Sequence, residues 1–198
     1  MELQILLIIF AYMFGSIASA IVVCKLMQLS DPRTQGSGNP GATNVLRIHG
    51  KKAAALTLTG DVLKGVIPVL MAKTLQAPDH IIALTGIAAF AGHLFPVFFN
   101  FRGGKGVATL IGVLTAFNWL LGLGYIVTWL LMAFLFRYSS LAALIAAVMT
   151  PVYTALLLPI PVLIAANSVM GIALIWRHRT NIRKLIDGKE EKIGLHKH

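Results

Sequence analysis

The chain has 198 residues, 57% hydrophobic and only 12% charged, with a mean hydropathy of +0.80 and a net charge of +10. A soluble domain carries about 25% charged residues, so this composition excludes an ordinary globular domain and belongs to an integral membrane protein. The single cysteine, Cys24, excludes an internal disulfide framework.

A spanning helix needs about 20 apolar residues. The apolar runs predict seven spans: Leu3 to Val23, Ala53 to Met71, Ile81 to Phe99, Val107 to Phe117, Trp119 to Phe136, Leu141 to Leu158 and Pro161 to Trp176. The first lacks a basic leading segment and a small-residue cleavage site, and is expected to be a retained helix. Its Gly15, Ser16, Ala18, Ser19 and Ala20 would let a neighbouring helix approach closely. The fourth is too short to cross upright; tilting, local thinning of the bilayer and a re-entrant path all remain open. No internal repeat and no inverted pair of broken helices is present, which counts against a secondary transporter.

Charge tests this count. With seven alternating spans, 15 of the 17 basic residues fall on one side: Lys25, Arg33, Arg47, Lys51, Lys52, Arg102, Lys105, Arg137, Arg177, Arg179, Arg183, Lys184, Lys189, Lys192 and Lys197. Lys73 lies opposite and Lys64 falls inside a span. The positive-inside rule then places the N-terminus outside and the C-terminus in the cytoplasm. Because the basic residues cluster at the ends of spans, they fit topology and anionic lipid and not a nucleic-acid partner.

Four polar clusters interrupt this apolar chain. Gly36 to Arg47 holds Gly36, Ser37, Gly38, Asn39, Gly41, Thr43, Asn44 and Arg47 in twelve residues. Glycines allow close backbone approach and anion-binding nests, and Arg47 adds a fork for a phosphate or carboxylate. A plain loop with a topology-setting arginine is the simpler reading. The second cluster runs from Gly92 to Gly106. Gly103, Gly104 and Gly106 bracket Lys105 just before an apolar helix, which suits a phosphate. The spacing is not that of a P-loop. His93 alone reads as readily as a packed helix residue. Phe95, Phe98, Phe99 and Phe101 read as an interfacial aromatic belt.

The third cluster follows the last span: His178, Asn181, Arg183, Gly188 and Glu190, with His178 and Asn181 three apart on one helical face. A solvated basic patch is the common explanation for such a run. The fourth is Asp61 and Lys64 inside the second span, either a brace within the bundle or a functional pair. Ser139 and Ser140 could cap the sixth helix or donate to a ligand. The three loop clusters share one predicted membrane face, which points to a pocket for more than one anionic group beside lipid.

The stretches GSGNPGATNVLR, GHLFPVFFNFRGGKGVAT and HRTNIRKLIDGKE resemble the three motifs of the bacterial acyl-phosphate-dependent glycerol-3-phosphate acyltransferases, the PlsY family. The resemblance extends over the whole chain in length, span pattern and motif order. It implies one transmembrane acyltransferase domain over residues 1–198, an all-α seven-helix bundle with its active site at the cytoplasmic face of the bacterial inner membrane. The implied reaction moves an acyl group from acyl phosphate to the 1-hydroxyl of sn-glycerol 3-phosphate. It gives lysophosphatidic acid and phosphate, the first step of phospholipid synthesis. By motif position, Ser37, Arg47, Lys105, His178 and Asn181 form the catalytic set. Gly36, Gly38, Asn39, Gly41, Thr43, Asn44, His93, Gly103, Gly104, Gly106, Ser139 and Ser140 are the expected binding residues. The second motif is the implied glycerol-phosphate site, and Glu190 is implied to be structural. The sequence has Gly-Lys-Glu at 188–190, where the family more often has Gly-Thr-Glu. A monomer is expected, with association with the acyl-phosphate-making enzyme left open.

The residue types suit that chemistry. Acyl phosphate carries a good leaving group, so cations and N–H donors that gather two phosphates matter more than an activated nucleophile. His178 is expected to bind or orient, and a substrate phosphate oxygen to take the proton. His93 and His178 have no carboxylate or cysteine partners at metal-ligand spacing, and no cofactor is implied. No histidine has an aspartate five positions on, so the His-x₄-Asp motif of thioester-dependent acyltransferases is absent. Two rivals are a transporter or flippase for a phosphorylated solute or lipid, and a non-catalytic subunit binding anionic lipid. The first lacks outer loops long enough for a gate. Alanine at Gly103 or Gly104 separates these readings: a lipid-charge anchor tolerates it, whereas a phosphate cradle does not.

Overall fold

Hydropathy does not see the first feature of the fold, a break in the first apolar run. In a computed structural model that describes residues 1–194, this run is two helices, α1 (Glu2–Gly15) and α2 (Ser19–Leu26), bent by 49°. Ser16 Oγ donates to the Tyr12 carbonyl at 2.8 Å, a back-bond that bends helices. The Ile21 amide turns to Ala18, and the Ile17 carbonyl instead accepts from Lys64 Nζ at 2.8 Å.

The remaining helices are α3 (Ala42–His49), α4 (Lys51–Thr74), α5 (Asp79–Leu94), α6 (Val107–Phe117), α7 (Trp119–Phe136), α8 (Ser139–Leu157), α9 (Pro161–Arg177) and α10 (Arg179–Ile186), with a 3₁₀ turn at Val97–Phe99. The described residues contain no strand. Among them, α4, α5 continued to Phe99, α7 and α8 are long and apolar enough to cross a membrane. Counting the bent pairs α1–α2 and α9–α10 as one span each raises the number from 4 to 6. The fourth predicted span is helix α6, only 11 residues long. Lys197 lies outside the described residues.

The chain forms two compact units, Met1–Phe117 and Asn118–His198. In the first, α1 packs on α5 and α4 on α6. Both contacts are made by paired glycines. A Cβ on Gly15 would overlap the Ala89 carbonyl, and one on Gly92 the Tyr12 carbonyl. Likewise a Cβ on Gly65 would overlap the Thr109 carbonyl, and one on Gly112 the Val62 carbonyl. Lipid tails are as apolar as leucine, so helices in a bilayer associate through close packing, which small residues permit. The small residues predicted to admit a neighbour at the end of the first run do so at Gly15.

In the second unit α8 packs on α7 and α9. Hydrogen bonds reinforce both seams. Thr128 and Tyr153 hydroxyls meet at 2.7 Å between α7 and α8, and Asn167 Nδ2 donates to Thr154 Oγ1 at 2.7 Å between α9 and α8. Val127, Leu130, Leu131, Phe134 and Leu135 leave one long face of α7 exposed and apolar, as a hydrocarbon-facing helix requires.

The paired glycines generate a prediction. Gly112→Leu should destabilise the protein by about 1–3 kcal/mol or more through overpacking against the α4 backbone. Gly124→Leu, where a Cβ meets only the Tyr153 ring at 3.2 Å, should cost less. Thermal unfolding in detergent, followed by size-exclusion, ranks the two.

Candidate active site

The first motif is a loop only as far as Gly41; Ala42 starts α3, so Thr43, Asn44 and Arg47 are helical. The helix forms because Gly41 enters extended, and the buried Val45 packs with Ala20, Cys24, Ala53 and Ala54. Asn44, 2% exposed, organises the loop that precedes it. Its Oδ1 accepts from the Ser37 amide at 2.8 Å, and its Nδ2 donates to the Pro32 and Gln35 carbonyls at 2.8 and 3.1 Å. Gly36 has φ +60°, and a Cβ there would collide with Asn44 Oδ1, so glycine is required. Asn44, expected among the binding residues, therefore has both amide hydrogens committed to shaping the loop. Ser37 is exposed, Asn39 and Arg47 half-buried. Arg47 lies three residues after Asn44 on the same face of α3. Arg33 at the loop's entrance grips Asp31 through three side-chain bonds, Nε to Oδ1 and Oδ2 at 3.0 and 3.1 Å and Nη2 to Oδ2 at 2.6 Å. This guanidinium holds the Asp31 carboxyl below the usual carboxylate range.

The second motif is a turn pressed onto the end of α5. His93, buried in the last turn, is the floor. Its carbonyl accepts from the Gly104 amide at 3.2 Å. A Cβ on Gly103 would overlap that carbonyl, and one on Gly104 would overlap the His93 ring. Gly106 has φ +92° and lies against Phe90 and Leu94. Lys105, half-buried, stands between these glycines two residues before α6. Backbone amides at a helix N-terminus with a lysine beside them suit an anion. His93, expected among the binding residues, packs its ring against Gly104, with Nδ1 3.5 Å from Asp61 Oδ1. Tyr12, which the sequence did not single out, ties α1 to this segment by donating to the Phe95 carbonyl at 2.8 Å. Phe95, Phe98 and Phe101 are exposed, as an interfacial belt would be.

In the second unit, a 58° bend at His178 separates α9 from α10. His178 is 3% exposed, and its Nδ1 donates to the Leu174 carbonyl at 2.8 Å. A carbonyl only accepts, so Nδ1 carries a proton. Gly188, at φ +65°, ends α10 and turns the chain back. Glu190 Oε1 then accepts from Ser140 Oγ at 2.5 Å and from Asn181 Nδ2 at 2.7 Å. Ser140, Asn181 and Glu190 are thus brought together. Ser139 and Ser140 do not cap α8: Tyr138 is its N-cap, and no side chain caps it. Arg137 and Ile193 clasp the tail further, Ile193 N–H to the Arg137 carbonyl at 2.7 Å and Arg137 Nη2 to the Ile193 carbonyl at 3.1 Å. The tail was open to reading as a solvated basic patch; its backbone returns to the start of α8 because Gly188 reverses it. Among the described residues, no three His, Cys, Asp or Glu side chains are grouped to hold a metal ion.

Glu190 generates a prediction. Glu190→Ala should lower stability by about 1–3 kcal/mol, since two hydrogen bonds to a charged acceptor are lost. Glu190→Gln, which keeps an acceptor oxygen, should lose less. Thermal unfolding and limited proteolysis after α10 measure both.

Comparison with known proteins places this geometry. The family model described as glycerol-3-phosphate acyltransferase matches residues 5–188. A glycerol-3-phosphate acyltransferase of Halorhodospira halophila is 54% identical over 97% of this chain and 98% of its own length. One of Methylococcus capsulatus is 52% identical over 98% of each. Among solved structures, the glycerol 3-phosphate form of PlsY (YgiH), an integral membrane glycerol 3-phosphate acyltransferase, superposes with a TM-score of 0.92 at 40% identity, over 96% of each chain. Its lysophosphatidic acid form gives 0.91 at the same identity, over 96% of this chain and 95% of that one. This chain belongs to the glycerol-3-phosphate acyltransferase family, the PlsY family of membrane acyltransferases.

Proposed function

We propose that this protein transfers an acyl group from acyl phosphate to the 1-hydroxyl of sn-glycerol 3-phosphate, releasing lysophosphatidic acid and inorganic phosphate. The observation that carries the reading is the second-motif turn, two glycines seated on His93 beside Lys105 at the start of α6, in a chain 40% identical to the glycerol 3-phosphate form of PlsY. Glycines with no room for a Cβ, followed by a lysine and a helix N-terminus, form a cradle for a phosphate.

In the step we propose, the 1-hydroxyl oxygen attacks the acyl carbon. The carbonyl π electrons move onto its oxygen, and the tetrahedral intermediate collapses by expelling phosphate. The hydroxyl proton goes to a phosphate oxygen. Arg47 and Lys105 offset the charge of two phosphates and of the developing oxyanion. Ser37 and the amides of the first loop hold the acyl phosphate. By motif position Asn181 belongs to the catalytic set and His178 is a residue that binds or orients substrate. Ser139 stands with them at the start of α8. Asn44 and Glu190 shape the loops that carry these groups.

We further infer seven membrane passages with α6 as the short fourth, the N-terminus outside and the motifs in the cytoplasm, since 15 of 17 basic residues fall there under that count. The chain acts as one catalytic domain in the bacterial inner membrane. Because all three motifs lie on one chain, a monomer suffices; the enzyme that makes the acyl phosphate could dock at the same face.

The test follows inorganic phosphate release from palmitoyl phosphate by purified protein in lipid mesophase, with and without glycerol 3-phosphate. Release needs both substrates in the wild type and falls by at least about 10² in Lys105→Ala. His178→Ala keeps turnover at saturating substrate and raises KM by up to about tenfold, the size of one hydrogen bond. Absence of release from folded wild type would overturn the acyltransferase reading in favour of transport.

A further inference from the structure

Helix α4 carries two buried charged side chains that the proposed reaction does not use. Asp61 and Lys64 are buried, each side chain 3% exposed, with Lys64 Nζ 2.9 Å from Asp61 Oδ1. Removing two ions from water is costly, and inside a membrane helix they mark a role that repays the cost. Their other contacts lead in two directions. Lys64 Nζ also donates to the Ile17 carbonyl in the break between α1 and α2. Asp61 Oδ1 also faces Nδ1 of His93 at 3.5 Å.

The second contact is the informative one. A brace between α4 and the broken helix needs Lys64 and the Ile17 carbonyl, and Asp61 to balance the charge. It does not need His93. Yet His93 is the residue on which the glycine turn rests: its carbonyl takes the Gly104 amide, and its ring fills the space where a Gly104 side chain would be. A turn of glycines has no side chains of its own to hold it in place, so its shape is set by what it lies on. A carboxylate 3.5 Å from Nδ1, at the outer edge of hydrogen-bonding distance, favours electrostatically the tautomer that carries its proton there. The contacts therefore run from Ile17 through Lys64, Asp61 and His93 to Gly103 and Gly104, and end beside Lys105.

We propose that Asp61 and Lys64 are positioning residues: they hold His93, and through it the Gly103–Gly104 backbone and Lys105, in the arrangement that receives the phosphate of glycerol 3-phosphate. This rests on the acyltransferase reading above. It makes the pair part of one substrate's site, although neither residue touches that substrate.

The experiment measures glycerol 3-phosphate binding directly by calorimetry, apart from turnover, and the KM for palmitoyl phosphate alongside. The main variant is Asp61→Leu with Lys64→Met. It removes both charges at similar volume, a change that buried pairs often tolerate without loss of stability. Asp61→Glu is the second variant, keeping the charge but shifting the carboxylate. The expected result is a midpoint of thermal unfolding close to wild type, a Kd for glycerol 3-phosphate raised about tenfold to a hundredfold, and a KM for palmitoyl phosphate changed less than about threefold. His93→Ala alone gives the same rise, and combining it with the double variant adds nothing further, because the residues act in series. Unchanged Kd in folded variants overturns the proposal, as does a His93→Ala effect that adds in full. A parallel loss of both substrates that tracks unfolding also overturns it and leaves the pair as a brace. Wild type that binds glycerol 3-phosphate but releases no phosphate sinks the acyltransferase reading alone.

Discussion

The carbonyl of Ile17 has no helical partner, because α1 ends at Gly15 and the Ile21 amide has turned to Ala18. In a hydrocarbon environment such a group must be satisfied from within the protein. Lys64 supplies the donor, and much of the first unit follows from that choice. An ammonium buried in mid-helix needs a counter-charge, which Asp61 provides one turn earlier on the same face. A lysine reaches a neighbouring helix only if the helices are close, and Gly60 lies against Ser19 of α2, with room there for no side chain. Backbone contact at Gly15–Ala89 and Gly65–Thr109 locks α1 to α5 and α4 to α6 around the same point. The broken helix, the buried ion pair and the glycine seams are one solution to one unsatisfied carbonyl.

Composition and periodic apolar runs were enough to read the class and most helix positions, because burial in lipid imposes a length and a polarity on every span. The short fourth run is an example: it starts after Gly106 and stops before Asn118, whose Oδ1 caps the next helix at the Leu120 amide. What hydropathy could not show was where hydrogen bonding fails inside a run. Leu3 to Val23 reads as continuous, yet Ser16 returns its hydroxyl to Tyr12 and the helix breaks. The start of α3 was hidden for a related reason. Asn44 looks like a loop residue by type, and only its three bonds to Pro32, Gln35 and Ser37 reveal that it sits on a helix and holds the loop from there. The tail was illegible because its fold depends on a contact across fifty residues of sequence, Glu190 to Ser140.

Charge totals are also a poor guide to which cations serve a ligand. The net charge of +10 suggests an abundance of phosphate donors. Several of them have structural work. Arg33 is bound by Asp31 through two of its nitrogens, and Arg137 donates to the Ile193 carbonyl. Such residues still satisfy the positive-inside rule, which counts charge and ignores partners. Arg47 and Lys105, the cations proposed to meet phosphate, sit on two kinds of mount: one rides a helix that carries Asn44, the other a turn seated on His93. A rigid mount matters for transition-state stabilisation, which depends on donors being placed before the charge develops.

The three motifs share this division of labour. Each contains a polar side chain that holds a glycine-bearing segment by hydrogen bonds or direct packing: Asn44 for the loop at Gly36, His93 for the turn at Gly103 and Gly104, Glu190 for the return after Gly188. A motif therefore records two kinds of residue that sequence alone mixes, those suited to meeting a substrate and those that shape its site. Burial separates them in the first two motifs, whereas His178 and Asn181, which have proposed roles in the reaction, are themselves bonded to Leu174 and Glu190. Asn44 and His93 are buried against the chain they organise, whereas Ser37 is exposed and Lys105 only half-buried. Glycine makes this arrangement necessary. A segment supple enough to wrap a phosphate does not keep its own shape, so the rigidity must come from a neighbour with a fixed hydrogen-bonding geometry.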